Sequence, residues 1–359
     1  FRGPRDRKRS AGRHDPPAQD SLTPLDPIDG AARSSVRRRR IKPAVAIAGL
    51  DSGVVTASTR VFDPGYYQLP NYDHKYRNWN HSGEGWVNLE TAIMRSNDTY
   101  FYDLARKMGV DRLHDYMTRF GLGQKVALDM FEEAPGLMPS REWKRARYRQ
   151  AWYPGETLIL GIGQGYMQTT PLQLAQATAL MATRGKWIRP HLLKTAEGQT
   201  PQQLMADGAM DGVMTPPDIV LRDDKFWDYG RQGMEAVMHG PRGTAAKVGA
   251  TSVYRIAGKS GTARKASVGT KGYTENAYRS MFAGFAPSTN PRIAMMVVID
   301  EPSKGGYFGG LVSAPVFSKV MAGSLRLMNI TPDNLPPPVD PAAAPPQTAA
   351  AAATPGGRI

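Results

Sequence analysis

The sequence predicts an α+β fold, with a helical part first and an antiparallel sheet, covered by a closing helix, after it. Three observations carry this. Apolar residues recur at helical spacing, bounded by caps and stops, as far as about Met238. From Val253 the pattern changes to β-prone runs separated by turn residues. A last helical stretch, Ser313 to Leu327, comes after the strands and can pack on them.

In chain order, Ile41, Val45 and Ala48 share one helix face, and Pro43 is tolerated in a first turn. Asn88 can cap a helix running to about Arg95. A second helix from about Thr99 stops at Gly109, and a third, from about Asp111 to Phe120, stops at Gly121. In "TTPLQLAQATALMATRG" Thr170 caps, Pro171 takes the first helical position, Gln173 completes a capping box and Gly185 closes the helix. Another helix spans Trp227 to Met238. The runs "VYRIAGKSGTARK", "YRSMFAGFAP" and "RIAMMVVID" read as strands, with "STNP" as the hairpin turn between the last two.

The chain has 359 residues, 41% of them hydrophobic, enough to bury a sizeable core. Its net charge is +14. Residues 1–40 hold eleven Lys/Arg against five Asp and supply about +6 of that. They are expected to form a disordered basic tail, solvated and with no specific nucleic-acid partner. Residues 329–359, rich in Pro and Ala, are expected to be a second extended tail. The folded body is placed at 41–328. There is no Cys, hence no disulfide and no thiolate metal site. No apolar run approaches the roughly 20 residues of a membrane span, and no signal-peptide pattern is visible, so a membrane anchor is not expected within this chain. Asp63, Asp73, His74, His81 and Glu84 lie near one another but match no metal-ligand spacing. "GIGQG" at 161–165 lacks the strand-to-helix context of a dinucleotide loop, so no cofactor is expected.

Two motifs carry chemistry. "AGKSGTA" places Lys259, Ser260, Gly261 and Thr262 on one strand, where Lys supplies charge, hydroxyls bond a carboxylate, and Gly lets a substrate backbone lie close. "MRSNDTYFY" puts Ser96, Asn97 and Asp98 between two helices, where side chains two apart can enter one cleft; the plain alternative is a helix junction capped by Asp98. In this order they match two of the three motifs S-x-x-K, S-D-N and K-T-G of serine acyl-transfer enzymes. The body resembles the transpeptidase domain of class B penicillin-binding proteins, a serine β-lactamase-like fold. "KPAVAIAGLDSGVV", "FDPGYYQLP", "SNDTYFYDLARKMGVDRL", "WYPGETLILGIGQGY" and "QTTPLQLAQA" are similar to the elongation-specific members, penicillin-binding protein 2, over about 42–255. From about 256 to 328 the chain, with "KSGTARKASVGTKGYTENAYRSMFAGFAP" at its centre, resembles the division-specific members, penicillin-binding protein 3.

The resemblance implies peptidoglycan D,D-transpeptidase chemistry. A helix Ser attacks the penultimate D-Ala carbonyl of a stem peptide, and β-lactams trap that Ser. Lys42 matches the lysine that takes the Ser proton, with its pKa depressed by burial and by a second lysine. Lys259 matches that second lysine, Ser96 the proton relay to the leaving group, and Asp98 the third position of its motif. Asn97, Ser260, Gly261 and Thr262 would bind substrate, and the Thr262 N–H would form half of an oxyanion hole. The implied partners are stem peptides, β-lactams and membrane proteins of the elongasome or divisome. The implied location is the periplasmic side of the inner membrane.

The third motif is absent. Three residues before Lys42 stands Arg39, and no Ser in the chain has Lys three positions on. A guanidinium stays protonated and cannot act as the nucleophile. The first sheet strands that precede the nucleophile in the family have no counterpart in residues 1–40, so the strand near Met295 to Ile299 is expected to show an apolar edge. The expectation is a transpeptidase by descent without its acylation step; the alternative is a non-catalytic module that binds stem peptide or a partner.

Overall fold

The computed structural model describes residues 41–130, 132–194, 198–200, 203, 215–266 and 273–335. The expected basic tail, Arg39 and the end of the expected Pro/Ala tail lie outside the described residues.

Helix α1 (Lys42–Asp51) is buried along its whole length, as its sequence "KPAVAIAGLD" allows. A helix apolar on every side belongs in an interior, and this one packs against two later helices, α3 (Asp98–Arg119) and α7 (Lys225–His239). Four three-residue strands come next. β1 (Val61–Asp63) pairs with β4 (Gly85–Val87), and β2 (Tyr66–Gln68) pairs with β3 (Lys75–Arg77), both antiparallel. Helix α2 (Leu89–Met94) is capped as expected, the Asn88 side chain accepting from the Thr91 N–H at 2.9 Å.

Residues 98–119 keep the break that the sequence marks. Gly109 has φ +79°, ψ 163°, and divides α3 into two helices. The capping residue differs from expectation: Asn97, not Asp98, caps α3 through the Tyr100 N–H at 2.8 Å. Two short helices are not announced by periodicity, α4 (Arg141–Tyr148) and α5 (Pro154–Gly161). α6 (Pro171–Ala182) carries the expected capping box, with Gln173 N–H on Thr170 Oγ1 at 3.1 Å and Thr170 N–H on Gln173 Oε1 at 3.2 Å. Then come α7 and the short α8 (Ala246–Gly249).

The sheet order is β5 (Ala257–Ala266), β6 (Tyr273–Ala286), β7 (Ile293–Asp300), all antiparallel. β5 begins four residues later than "VYRI" suggests, because the Ile256 N–H donates to His239 Nε2 at 3.0 Å instead of entering the ladder. Gly258 faces Gly284 across the pair, and the rings of Phe282 and Phe317 fill the space a Cβ on either would need. Helix α9 (Ser313–Leu327) packs on β6 and β7, α7 on β5, and α6 on β6 and β7. Among the described residues β5 and β7 are the edge strands, and Ile293 to Ile299 of β7 are only half-buried.

This packing sets two expected outcomes. Gly161 of α5 crosses α3 so closely that a Cβ would lie 2.2 Å from Ala105 Cβ, so Gly161→Ala is expected to lower unfolding free energy by about 1–3 kcal/mol in urea denaturation. Burial, then the charge of Arg255, holds His239 below its ordinary pKa of 6.5. The unfolded chain therefore takes the proton first as pH falls. This contribution to stability is whole above the unfolded value of about 6.5 and is lost as pH drops toward the lower folded value. His239→Gln is expected to flatten the stability curve in that acid window.

Candidate active site

The first residue of α1 and the first residue of α3 meet at the centre of the molecule. Lys42 Nζ donates to Asp98 Oδ1 at 2.8 Å, to the Ser96 carbonyl at 2.7 Å and to Ser96 Oγ at 3.4 Å, and both side chains of the ion pair are fully buried. The Phe101 ring lies 5.3 Å from the ammonium. Asp98, at an N-terminus, is favoured by the positive end of its helix, whereas Lys42 sits at the same end of α1 and is not. A carboxylate at this distance favours the charged lysine. Lys42 Nζ thus reaches both Ser96 and Asp98.

The corner that presents Ser96 is built from the backbone. Ser96 has φ +55°, turning the chain from α2 into α3, and its N–H donates to the Ile93 carbonyl at 3.1 Å. A non-glycine residue in that region costs on the order of 1–3 kcal/mol and persists only where its surroundings impose it. Here they do. The Arg95 carbonyl accepts from Trp79 Nε1 at 2.9 Å, and the Arg95 guanidinium lies on the Trp79 ring and pairs with Glu84 at 2.8 Å. Burial alone would raise the Glu84 pKa, but Arg95, Asn80 and Arg242 together hold it below the usual carboxylate value. Behind the corner, Asn97 is fully buried, its Nδ2 donating to Asp63 Oδ2 at 2.6 Å while its Oδ1 caps α3. Both ends of that side chain therefore make hydrogen bonds within the protein.

On β5, Lys259, Ser260, Gly261 and Thr262 pair in register with Ala283, Phe282, Met281 and Ser280. Lys259 is buried and its Nζ donates to the Ser260 carbonyl at 3.0 Å. Ser260 Oγ lies 2.7 Å from Thr244 Oγ1, and Thr262 Oγ1 accepts from the Gly309 N–H at 3.2 Å. Gly309 rests on the sheet so tightly that a Cβ would lie 2.2 Å from the Met281 carbonyl oxygen and 2.8 Å from the Gly261 nitrogen. The segment 240–245 joins the two groups: Arg95 donates to the Arg242 carbonyl at 2.8 Å at one end, and Thr244 meets Ser260 at the other. Residue 39 lies outside the described residues. Asp63, Asn78 and Thr244 are not identifiable as site residues from sequence. In sequence, Asp63 and Glu84 stand near other acidic and His residues without a metal-ligand spacing, and no group of metal-ligating residues is found among the described residues.

A buried lysine, a serine in a strained corner and a Lys-Ser-Gly-Thr strand are the arrangement that the motifs imply. The family model described as "Penicillin binding protein transpeptidase domain" matches residues 41–322. The chain belongs to that family. It is 37% identical over 305 residues to the peptidoglycan D,D-transpeptidase MrdA of Haemophilus influenzae, covering 82% of this chain and 45% of that protein. The chain therefore spans about half the length of the curated relatives it matches. Among solved structures, it is similar to Pseudomonas aeruginosa PBP2 in complex with WCK 5153, with a TM-score of 0.73 and 59% identity, covering 83% of this chain and 60% of that one. It is similar to the TP domain of Burkholderia pseudomallei penicillin-binding protein 3, with a TM-score of 0.67 and 31% identity, covering 84% and 81%. A Helicobacter pylori PBP2 solved as a complex with MreC matches with a TM-score of 0.66 and 27% identity, covering 81% and 49%. The penicillin-binding transpeptidase fold and the likeness to both penicillin-binding proteins 2 and 3 agree with the sequence reading.

The ion pair sets an energetic expectation. Asp98→Ala leaves a lysine buried without its counter-charge and should lower unfolding free energy by about 3–5 kcal/mol. Replacing both partners, as Lys42→Met with Asp98→Ala, should cost far less than Lys42→Met and Asp98→Ala summed. Urea denaturation of the four proteins measures the coupling.

Proposed function

We propose that this chain is the transpeptidase part of a peptidoglycan D,D-transpeptidase, with the machinery for proton transfer and carboxylate binding in place and the acylating serine replaced by Arg39. The observation that carries the reading is the buried contact of Lys42 with Ser96 and Asp98. In the family, the serine Oγ bonds to the D-Ala carbonyl carbon as its proton passes to lysine, and the C–N bond to the terminal D-Ala then breaks as that amine takes a proton. Lys42 and Ser96 stand where such a proton would be held and passed on, 3.4 Å apart. Ser260 and Thr262, with Lys259 behind them, would hold the substrate carboxylate. Arg39 offers no lone pair for the first bond, so this chain does not form the acyl-enzyme and binds stem peptides and β-lactams without a covalent link.

The same reading places the protein on the periplasmic side of the inner membrane, within the elongation or division machinery. The complex of the Helicobacter pylori relative with MreC supports an elongation partner. No helix among the described residues is long and apolar enough to cross a membrane.

Labelling with a fluorescent penicillin, resolved on a denaturing gel, tests this. The chain is expected to give no adduct, and Arg39→Ser, which restores a serine three residues before Lys42, is expected to give one. An adduct on the unaltered chain would overturn the assignment of Arg39. A folded Arg39→Ser protein that stays unlabelled would overturn the competence of the Lys42 cluster. Equilibrium binding of a D-Ala-D-Ala peptide, weakened at least tenfold by Thr262→Ala, is the expected signature of the retained carboxylate site.

A further inference from the structure

The tightest cluster of polar contacts in the molecule lies one layer behind the site, around Asp63. This carboxylate is 1% exposed and accepts five hydrogen bonds: on Oδ1 from the Gly65 N–H at 2.8 Å and the Thr99 hydroxyl at 2.6 Å, and on Oδ2 from Asn78 Nδ2 at 2.6 Å, Asn97 Nδ2 at 2.6 Å and the Glu84 N–H at 3.1 Å. All five donors are neutral. They come from β1's own exit turn, from the start of β4, from the segment after β3, and from the corner that carries Ser96.

An ionised carboxylate only accepts, and that has a consequence for the two asparagines. Each must turn its NH2 toward Asp63, so each must turn its oxygen away. The Asn78 oxygen then accepts from the Asp98 N–H at 3.0 Å and from the Trp79 N–H at 2.9 Å, and the Asn97 oxygen accepts from the Tyr100 N–H at 2.8 Å. Three backbone N–H groups at the start of α3 and beside it are satisfied because of the side on which Asp63 stands. Asp98 is gripped at its backbone by Asn78 and at its carboxylate by Lys42. Ser96, the residue before Asn97, owes the position of its carbonyl and hydroxyl to the same turn.

We infer that Asp63 is a positioning residue for the Lys42–Ser96–Asp98 cluster, acting by fixing the orientation of the Asn78 and Asn97 amides. It touches neither substrate nor the reacting atoms. An asparagine in its place would fill the same volume but present a donor as well as an acceptor. Asn78 and Asn97 both donate to Oδ2, so the substituted amide either keeps its oxygen there and sets its NH2 against the Gly65 N–H, or sets its NH2 against both asparagine amides and the Glu84 N–H; either way a buried donor loses its acceptor.

The inference deepens the proposed function and rests on it only where catalysis is read. In the unaltered chain the readout is the ammonium signal of Lys42 in 15N-lysine NMR, assigned by Lys42→Arg. Burial and its donated hydrogen bonds should make this ammonium slow to exchange. Asp63→Asn is expected to speed that exchange at least tenfold at a temperature where circular dichroism shows the protein still folded. In an Arg39→Ser background, the same change should lower the limiting rate of penicillin acylation at least tenfold, with the dissociation constant within twofold. A Lys42 signal unmoved by Asp63→Asn, in protein that remains folded, would overturn the inference. So would an acylation rate that falls only in proportion to the folded fraction. An Arg39→Ser protein that never acylates counts against the proposed function alone, because the NMR arm still decides on Asp63.

Discussion

The buried pair between Lys42 and Asp98 is the constraint around which the helical part is arranged. Two charges in a dry interior are costly, and a well-packed hydrophobic pair is often as stable or more so. The fold meets the cost with geometry. Asp98 stands at the N-terminus of α3, where the helix favours its charge, and its backbone N–H is bound by Asn78. Lys42 directs its protons to Asp98 and to the carbonyl of a residue held in a left-handed turn. α1 is apolar between Lys42 and Asp51, so the lysine enters the core at the helix end that meets Ser96.

The second constraint is that β5 must keep its Lys-Ser-Gly-Thr side chains presented while its backbone is engaged. Gly258 and Gly284 oppose each other, and the rings of Phe282 and Phe317 lock the strand pair from one side. Gly309 lies flat against Gly261 and Met281 and returns a hydrogen bond to Thr262. Thr244 holds Ser260, and the same segment reaches Arg95 beside Ser96. Through these short contacts the two halves of the site, one helical and one on the sheet, are tied at their rim by hydrogen bonds between segments far apart in sequence.

The part of the fold legible in the chain alone is the part that depends on near neighbours. The capping box of Thr170 and Gln173, the cap at Asn88 and the break at Gly109 each involve residues within a turn of one another. The motif strand and the Ser96–Asp98 corner are legible because their spacing matches a family pattern. α4 and α5 are not, since each is eight residues long and α4 buries only Lys144, leaving no apolar period to detect. Asp63 is illegible for a different reason. Its side-chain partners lie 15, 34 and 36 residues away, so only the folded chain brings them to it.

That contrast bears on Arg39. The contacts behind the site, from Asp63 through Asn78 and Asn97 to the Asp98 N–H, are made between described residues. So are the contacts that hold Ser260 and Thr262. The serine of the missing motif is the single part of the family's chemistry that no other side chain can replace, because activation by Lys42 requires a hydroxyl one helical turn before it, and Ser34 and Ser35 stand too far upstream. On the reading proposed above, a chain with Arg39 in that place loses bond formation and keeps the groups that recognise and orient. On the proposed reading, the architecture of this protein separates binding from acylation: the first resides in β5 and the corner at Ser96, the second in one position just before α1.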